Sequence, residues 1–557
     1  MNTQRRSGVL VHPTSFPGKS GIGDLGRHAY SFIDFLEKAD QTLWQVLPLN
    51  PTSFGDSPYQ SFSTFAGNHY LVSPELLAKE GLLTFSDIME HPQFDDRRIE
   101  YGTAIKHKIS LLKKAYASFN KAESHALLGE FEAFCKAENS WLDDYALFVA
   151  IKFYFIEQRE FEFETGEYKA FIKENEKILT ADEANDYYYG AVWTSWPKDL
   201  AARESKAMES WRFKLEDEVR FFKFTQYLFF RQWLALKKYA NERHIEIIGD
   251  IPIFVAYDSA DVWANPKLFQ LDDTGKPTSV AGVPPDYFSE TGQLWGNPLY
   301  DWPAHRRTKY SWWISRVEAT LKVCDIIRID HFRGFESYWS IKYGEKTAVN
   351  GQWIKGPGAE LFEAIRAKLG DLPIIAEDLG IITDEVTRLR EGLGLPGMKV
   401  LQFGFDAGKN NLNMPHNFTS SNVVVYTGTH DNNTSLGWYR EAEEPIRDQV
   451  RKYMSVSGDN VSWDMIRLAF STVGIFTIVP IQDILYIGKT DRMNTPGIAT
   501  DNWQFKYADH MLNDEMAAKL AYLSKLFDRN AYLEELRKPP EDEADEDEQE
   551  DEPAEKA

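Results

Sequence analysis

About eight short runs of β-branched and other apolar residues recur along the chain, and most of them end in polar or charged residues. Helix-like stretches, such as RHAYSFIDFLEKA and WWISRVEATLKV, lie between them. Strands that alternate with helices favour a parallel sheet, so the pattern predicts an α/β fold, a (β/α)8 TIM barrel whose polar strand ends gather at one mouth. The runs are centred near Val9, Val46, Ile247, Ile327, Ile374, Val400, Val424 and Ile478.

The spacing of these runs is uneven, which predicts how the 557 residues are divided. Residues 1–536 are expected to form one barrel, interrupted by a mostly helical insertion at about 75–240. A Gly-, Pro- and aromatic-rich stretch makes about 255–310 a candidate loop segment at the active site, because it is too long for an idle connection. Residues 537–557 are acidic and lack apolar anchors, which predicts a disordered tail.

The composition limits the partners and the compartment. A formal net charge of −23 argues against nucleic acid, because binding it depends on Lys and Arg displacing counterions. Aromatic residues make up 14% of the chain, and several lie in polar, Gly-rich segments, which suits neutral sugars. Cys135 and Cys324 are far apart, so we expect no disulfide framework and a cytoplasmic location. We read no signal peptide or transmembrane helix, and expect no membrane partner.

The segment CDIIRIDHFRGF, residues 324–335, begins as an apolar strand and ends in charge. Alternate residues of a strand point the same way, so Arg328 and Asp330 would share a direction. One interpretation is a buried ion pair that closes the barrel. The other is that the guanidinium favours the ionised form of Asp330 and leaves it available as a nucleophile. This segment alone does not decide between the two.

Two later runs end in a similar way, since IIAEDLG carries Glu377 and VVVYTGTHDN carries His430 and Asp431. Each alone fits a structural ion pair or helix N-cap as well as it fits a functional group. Together with Asp330 they predict a carboxylate cluster at one rim of the barrel, where such folds do chemistry. Glycoside cleavage needs two carboxyl groups, one as nucleophile and one as proton donor. A less polar setting would raise the pKa of Glu377 toward the acid form.

Carboxylates and histidines also bind metals, but the sequence contains no HExxH motif and no EF-hand loop. No Walker-type phosphate loop follows any of the predicted strands. We therefore expect neither a metal nor an organic cofactor.

Four of the segments, GDIPIFV, IIRIDHFRGF, IIAEDLG and TGTHDNN, resemble the four short conserved regions of the α-amylase clan of glycoside hydrolases and transferases. Longer segments narrow the resemblance to the 4-α-glucanotransferases known as amylomaltase or disproportionating enzyme. These segments are WQVLPLNPT, GDSPYQSFSTFAGN, GVPPDYFSETGQLWGNPLYDW, GLPGMKVLQF and RMNTPG. The resemblance runs from about Ser7 to about Leu536, nearly everything except the acidic tail.

The resemblance implies a role for each matching residue. Asp330 would be the nucleophile, Glu377 the acid/base and Asp431 the group that stabilises the transition state. Tyr59 would stack on the transferred sugar, with Ser57 close by. The segment GVPPDYFSETGQLWGNP would form a loop over the site, although a packed Ω-loop is the alternative. The other implied substrate-binding residues are Asp250, Asp286, Tyr287, Phe288, Trp295, Arg328, His331, His430 and Asn494.

The implied function is the transfer of α-1,4-glucan segments between maltooligosaccharides and glucans by a retaining double displacement. The same carboxylates would serve a hydrolase of the clan, an α-amylase or α-glucosidase, with water as the acceptor. A non-catalytic glucan-binding protein that has kept the barrel is a third reading. Its expected mark is the loss of a catalytic carboxylate, whereas the sequence contains all three.

Overall fold

The computed structural model describes residues 4–52, 54–121, 125–165, 192–285, 289–406, 410–498 and 500–536. The predicted tail and three predicted site residues, Asp286, Tyr287 and Phe288, lie outside these ranges. The strands of the described residues are β1 (Arg6–Leu10), β2 (Leu43–Gln45), β3 (Glu246–Pro252), β4 (Ser279–Val283), β5 (Gln293–Pro298), β6 (Ile326–Asp330), β7 (Ser337–Lys342), β8 (Gly351–Lys355), β9 (Ile374–Ala376), β10 (Gly397–Val400), β11 (Val423–Tyr426) and β12 (Phe476–Pro480).

Eight of these strands form one parallel sheet, in the order β10-β11-β12-β1-β2-β3-β6-β9. The two end strands approach each other, because the N–H of Ala376 donates to the carbonyl of Pro396 at 2.9 Å. The sheet is therefore a nearly closed barrel, and the predicted (β/α)8 fold is confirmed. Its strands are almost wholly buried, which is why each reads as a short continuous apolar run.

The helices lie between the strands in chain order. Several are amphipathic and bury one apolar face, as α1 does with Phe32, Ile33 and Leu36. The helices of the described part of the chain are α1 (Arg27–Lys38), α2 (Pro74–Lys79), α3 (Phe85–Met89), α4 (Tyr101–Lys121), α5 (His125–Ala137), α6 (Asn139–Thr165), α7 (Lys198–Ala201), α8 (Ser205–Lys214), α9 (Glu216–Asn241), α10 (Ala260–Ala264), α11 (Trp302–Arg307), α12 (Ser311–Val323), α13 (Ala359–Leu369), α14 (Asp384–Gly392), α15 (Leu401–Asp406), α16 (Ser435–Glu441), α17 (Glu444–Met454), α18 (Val461–Ser471), α19 (Ile481–Ile484), α20 (Asp514–Leu526) and α21 (Ala531–Leu536).

Helices α2 to α9 occupy the described part of the chain between β2 and β3, and the long helix α9 packs against α6 and the barrel. The side chain of Gln226 on α9 donates to the carbonyl of Gly67 at 2.9 Å and accepts from its N–H at 2.8 Å. Gly67 is required there, because a Cβ would lie 1.9 Å from the ring of Phe229. The buried helix thus fixes the loop that returns from the region of Tyr59.

A second sheet is antiparallel and has the order β5-β4-β7-β8. Strands β4 and β5 follow β3, and β7 and β8 follow β6, so the sheet is built from connections that leave the carboxyl ends of neighbouring barrel strands. The pairing sets Trp339 opposite Trp353, with ring centroids 5.2 Å apart. This sheet stands beside the mouth of the barrel and was not predicted from the sequence.

The buried guanidinium of Arg529, which follows α20, lies at the opposite end of the barrel, where β1 and β12 begin. It donates to the carbonyls of Phe470 at 2.7 Å, Thr472 at 3.0 Å and Gly474 at 3.1 Å, just before β12. It also donates to the carbonyl of Arg6 on β1 at 3.2 Å. One side chain therefore ties the last described helices to the first and last strands.

Within the described ranges, none of the helices is both long and apolar enough to span a membrane.

Candidate active site

The register of three neighbouring barrel strands brings the predicted residues together. Asp250 on β3 lies opposite Arg328 on β6, and Ile329 on β6 lies opposite Ala376 on β9. Asp330 and Glu377 each follow one of the residues of this second pair. Parallel neighbours in register are about 4.8 Å apart, so these two carboxyl groups belong to the same rim.

Arg328 lies between two carboxylates, and only 4% of its side chain is exposed. Its Nη1 donates to Oδ2 of Asp250 at 2.5 Å and its Nη2 donates to Oδ1 of Asp330 at 2.9 Å. The Asp250 side chain is fully buried, whereas 30% of the Asp330 side chain is exposed at the mouth. The buried Asp250 therefore fixes one side of the Arg328 guanidinium. The other side of the guanidinium fixes Asp330, which is exposed enough for a ligand to reach it.

Glu377 is held by the backbone. Its Oε2 accepts the N–H of His331 at 2.7 Å, and its Oε1 accepts the N–H of Leu379 at 2.7 Å. His331 has the left-handed conformation, with φ 52° and ψ 48°, which is uncommon for a residue other than glycine. The turn after Asp330 is thus bent so that its first N–H points at the neighbouring carboxylate.

Asp431 lies beyond β11 and has 45% of its side chain exposed. Its Oδ1 accepts the side-chain N–H of Asn494 at 2.6 Å and lies 3.3 Å from Nε2 of His430. The N–H of Asn494 donates to the carbonyl of His430 at 3.1 Å. Asn494 therefore joins the segment after β12 to the one after β11. Asn494 and Asp431, which were predicted separately as site residues, are in direct contact.

Tyr59 reaches the same cluster from the loop after β2. Its hydroxyl donates to Oδ2 of Asp250 at 2.6 Å, and its ring stacks on His430 with centroids 5.1 Å apart and an interplanar angle of 13°. Ser57 supports this loop, because its hydroxyl accepts the N–H of Tyr59 at 3.3 Å. Trp503, which the sequence analysis did not select, completes the aromatic group at 5.8 Å from Tyr59.

Among the described residues of the predicted loop, Trp295 on β5 contacts the site, through His331. Its ring meets His331 edge-on, with centroids 4.8 Å apart and an angle of 87°. Burial, with a smaller contribution from Arg333, lowers the pKa of His331 to about 3, so this imidazole is neutral. The site is therefore lined by an aromatic and a neutral ring beside the carboxylates.

Burial controls the protonation of the carboxyl groups. It raises the pKa of Asp330 to about 8, and the neighbouring carboxylates add to the effect. Arg328 lowers this pKa, as expected, but burial outweighs it. Burial also raises the pKa of Glu377, against the opposing effects of Arg328 and the N–H groups of Leu379 and His331. Because both values are raised, Asp330 and Glu377 together retain a proton near neutral pH.

The neutral members of the site follow the same rule. Burial, with Asp250 nearby, raises the pKa of Tyr59, and burial lowers the pKa of His430. Both side chains are therefore uncharged hydrogen-bonding groups. Among the described residues, His, Cys, Asp and Glu side chains form no group of three or more that could hold a metal ion.

Comparison with known proteins assigns the chain to a family. A sequence model described as 4-alpha-glucanotransferase matches residues 11–512, which is most of the chain. The chain belongs to the 4-alpha-glucanotransferase family. The match includes the segments that carry Tyr59, Asp250, Asp330, Glu377 and Asp431.

Individual members of the 4-alpha-glucanotransferase family are similar over nearly their whole length. The 4-alpha-glucanotransferase of Synechocystis sp. is 48% identical over 96% of this chain and 99% of its own. That of Thermus thermophilus is 45% identical over 95% of this chain and 100% of its own. The structure resembles an amylomaltase from Streptococcus agalactiae, solved in complex with acarbose, with a TM-score of 0.85. The two chains are 39% identical, over 94% of this chain and 100% of that one. The transferase reading is thus supported over the hydrolase alternative.

Two further residues of this 4-alpha-glucanotransferase support the segment that carries His430 and Asp431. The buried Asp483 accepts hydrogen bonds of 2.7 Å from the hydroxyl of Thr427 and from the N–H and hydroxyl of Ser435, at the two ends of that segment. Arg492 donates to the carbonyl of Asp431 and, at 2.7 Å, to that of Asn494. Apart from Asn494, their partners are 48 to 61 residues away, so no local motif indicated them.

Proposed function

We propose that this 4-alpha-glucanotransferase works by a retaining double displacement, with Asp330 as the nucleophile and Glu377 as the acid/base. One observation carries the proposal. Asp330 and Glu377 follow paired strands, and the residue after Asp330 donates its N–H to Glu377. The two carboxyl groups are therefore held relative to each other by backbone, which gives the fixed geometry that two-step glycosyl transfer needs.

In the first step the Asp330 carboxylate attacks C1 of an α-1,4-linked glucan. The bond from C1 to the glycosidic oxygen breaks, and Glu377 gives its proton to that oxygen, so one glucan fragment leaves with a free 4-hydroxyl. In the second step Glu377 takes the proton from the 4-hydroxyl of an acceptor glucan. The acceptor oxygen attacks C1 and displaces the Asp330 carboxylate. Two inversions at C1 restore the α configuration.

This scheme needs one proton shared by Asp330 and Glu377, and the raised pKa values of both groups supply it. We assign the proton to Glu377 at the start of the reaction. The reason is that Arg328 donates directly to Asp330, at 2.9 Å, and so favours the ionised form there. Glu377 has no cation as a direct hydrogen-bond partner among the described residues.

The surrounding residues would bind the sugar and the developing positive charge. Asp431, exposed at the mouth and held by Asn494, stabilises the oxocarbenium-like transition state. His430 donates to the sugar hydroxyls, and Arg328 and His331 border the same ring. Tyr59, with Ser57 behind it, and Trp295 supply apolar surface for sugar rings. Asp250 positions Tyr59 and Arg328, both of which donate hydrogen bonds to it.

Transfer requires that the glycosyl-enzyme ester meets an acceptor sugar before it meets water. Trp295 on β5 packs against His331 beside the carboxylates, and the segment from β4 to β5 would exclude water. Asp286, Tyr287 and Phe288 of that segment are proposed to hold donor and acceptor sugars. An acceptor bound in place then competes through proximity, and transfer outruns hydrolysis.

A fluoride donor tests the two assignments separately, because fluoride leaves without a proton. With α-maltotriosyl fluoride, the Glu377→Gln variant should form the glycosyl-enzyme and then stall, since the second step lacks its base. Mass spectrometry should find the added sugar on the peptide that contains Asp330. The Asp330→Asn variant should show no adduct. An adduct on another residue, or one that forms in Asp330→Asn, would show that the nucleophile is assigned wrongly.

The products from maltotriose distinguish transfer from hydrolysis. Transfer yields glucose and longer maltooligosaccharides with no change in the number of reducing ends, whereas hydrolysis raises that number. We expect the first result with the full chain, and a net rise in reducing ends equal to the glucose formed would favour the hydrolase.

We further propose that the barrel and the helical segment between β2 and β3 are the two parts of one catalytic unit, and that residues 537–557 are an acidic appendage. The expected compartment is the cytoplasm, in keeping with two cysteines, Cys135 and Cys324, that are both free. Deleting the residues after Leu536 should leave the maltotriose reaction unchanged.

A further inference from the structure

A groove of about 270 Å³ is lined by residues that come after β6 and β9, the strands whose ends carry Asp330 and Glu377. We call it the outer groove. Trp353 and Lys355 of β8 and Ser337 of β7 form one wall, and Ile381 and Thr383, from the loop after β9, form the other. Arg333 lies between the walls. None of these residues has a part in the reaction proposed above.

The outer groove continues from the catalytic residues along the chain. Arg333 follows Asp330 by three residues, and Ile381 follows Glu377 by four. Arg333 ties the two walls together, because it donates to the carbonyl of Ile381 and, at 3.2 Å, to the hydroxyl of Ser337. A ligand chain that leaves the carboxylate cluster over the rim of the barrel would therefore pass into the groove.

The groove offers an exposed apolar surface that is held rigidly. Trp353 is 40% exposed and Ile381 is 50% exposed. The guanidinium of Arg333 lies 3.8 Å from the centroid of the Trp353 ring, and Trp339 packs edge-on against it at 5.2 Å. An indole fixed in this way loses little entropy on binding, which is the property wanted of a stacking platform.

The charges of the outer groove are balanced. Arg333 and Lys355 are matched by Glu336 and Glu385, and Lys355 is paired directly with Glu336. The hydroxyl of Ser337 donates to Glu336 at 2.6 Å. A site for an anion or a cation would leave one sign in excess, so the balance favours a neutral ligand. Apolar surface surrounded by hydroxyl, carboxylate and ammonium groups fits a polyhydroxylated ring.

We propose that the outer groove binds a sugar unit of a long α-1,4-glucan whose reacting bond lies at Asp330 and Glu377. The proposal rests on the glucanotransferase function argued above. A short donor or acceptor is too small to reach the groove, whereas a long one gains binding energy from it. The groove thus makes the enzyme favour long chains without touching the reacting bond.

The test compares maltotriose with linear amylose in the full chain. Trp353→Ala should raise KM for amylose by roughly fivefold, the size of one lost aromatic contact, with kcat unchanged. Neither constant should change for maltotriose. Trp353→Phe should recover most of the affinity for amylose. Ile381→Ser, on the opposite wall and exposed, should raise the same KM and guards against a folding defect in Trp353→Ala.

Phe213→Ala is the matched control, because Phe213 is an aromatic residue that is 82% exposed on α8, and it should change nothing. Equal kcat/KM ratios for amylose and maltotriose in parent, Trp353→Ala and Ile381→Ser would overturn the outer groove. Loss of both activities in parallel would show only a structural role for Trp353 and would also overturn it. A parent enzyme that does not disproportionate maltotriose would instead refute the proposed function itself.

Discussion

The backbone N–H of His331 donates to the carboxylate of Glu377 at 2.7 Å, although the two residues are 46 positions apart. His331 achieves this in the left-handed conformation, which costs a non-glycine residue about 1–2 kcal/mol. The strain is located immediately after Asp330, and it aims a hydrogen-bond donor at the neighbouring strand end. Strained backbone at a site that needs a fixed donor is consistent with a role in the reaction.

The first prediction compares two substitutions of His331, both of which remove the imidazole ring. His331→Gly keeps the left-handed conformation at no cost, whereas His331→Val opposes it because a β-branched side chain is poorly tolerated there. We expect kcat to be lower for the Val variant than for the Gly variant, by roughly tenfold, and its melting temperature to be lower. Equal kcat values in the two variants would mean that the N–H to Glu377 has no catalytic importance.

A second prediction concerns the guanidinium that bridges two carboxylates. Arg328→Lys keeps the charge, but one ammonium cannot span both Asp250 and Asp330 as the planar fork does. We expect kcat for maltotriose disproportionation to fall by about a hundredfold, the size of one lost preorganised donor. Thermal unfolding of the variant should remain cooperative. An activity within twofold of the parent would show that the bridge is structural only.

A third prediction follows from the proton that Asp330 and Glu377 share, since burial raises both pKa values, that of Asp330 to about 8 from 3.8. The folded state holds this proton more tightly than the unfolded state, so the contribution to stability is complete below pH 4 and is lost as pH rises toward 8. Asp330→Asn removes one of the two coupled carboxyl groups and so reduces that loss. Relative to the parent, the variant should therefore become more stable as pH increases over this range.

Calorimetry at several pH values from 4 to 8 measures this difference, and the exposed Asp371→Asn variant is the control. We expect the melting-temperature difference between Asp330→Asn and the parent to grow in the variant's favour. A difference that is constant with pH would contradict the raised pKa. Catalytic groups that destabilise the fold are a known form of trade-off between stability and activity.

A fourth prediction concerns Asp483, which accepts three hydrogen bonds from Thr427 and Ser435. Asp483→Asn replaces an accepting oxygen with a donor and leaves buried groups unpaired. We expect the free energy of unfolding to fall by about 1–3 kcal/mol. Because the segment it holds carries His430 and Asp431, kcat should fall as well. Thr427→Ser keeps the hydroxyl and is the control; a similar loss there would point to packing instead.

Much of the barrel could be predicted because its signal is local. Strands such as Val423–Tyr426 are buried on both faces, so each is a short apolar run, and polar residues such as His430 and Asp431 follow within a few positions. Because the strands of such a barrel are parallel, the polar residues that follow them are expected at the same end of the barrel. Patterns of this kind predict the three carboxylates proposed as catalytic without knowledge of how the strands pair.

The antiparallel sheet could not be found by the same route. Strand β5 contains Gly296 and Pro298, and β8 is largely exposed, so neither has the composition of a buried strand. Their pairing depends on partners such as Trp339 that are far away in sequence. The packing of Trp503 against Tyr59 and His430 is equally non-local, since Trp503 and Tyr59 are 444 positions apart in the chain. Contacts of this kind form only in the folded chain and produce no periodic pattern in the sequence.

The tie that Arg529 makes between Arg6 and the residues before β12 has a consequence for synthesis. Strand β1 leaves the ribosome long before its partner β12. During translation β1 can pair with β2 but must wait for hundreds of residues for its other neighbour. The exposed edge of a half-built barrel is the kind of surface on which nascent chains aggregate or recruit chaperones, and it persists until β12 pairs with β1 and Arg529 ties the two together.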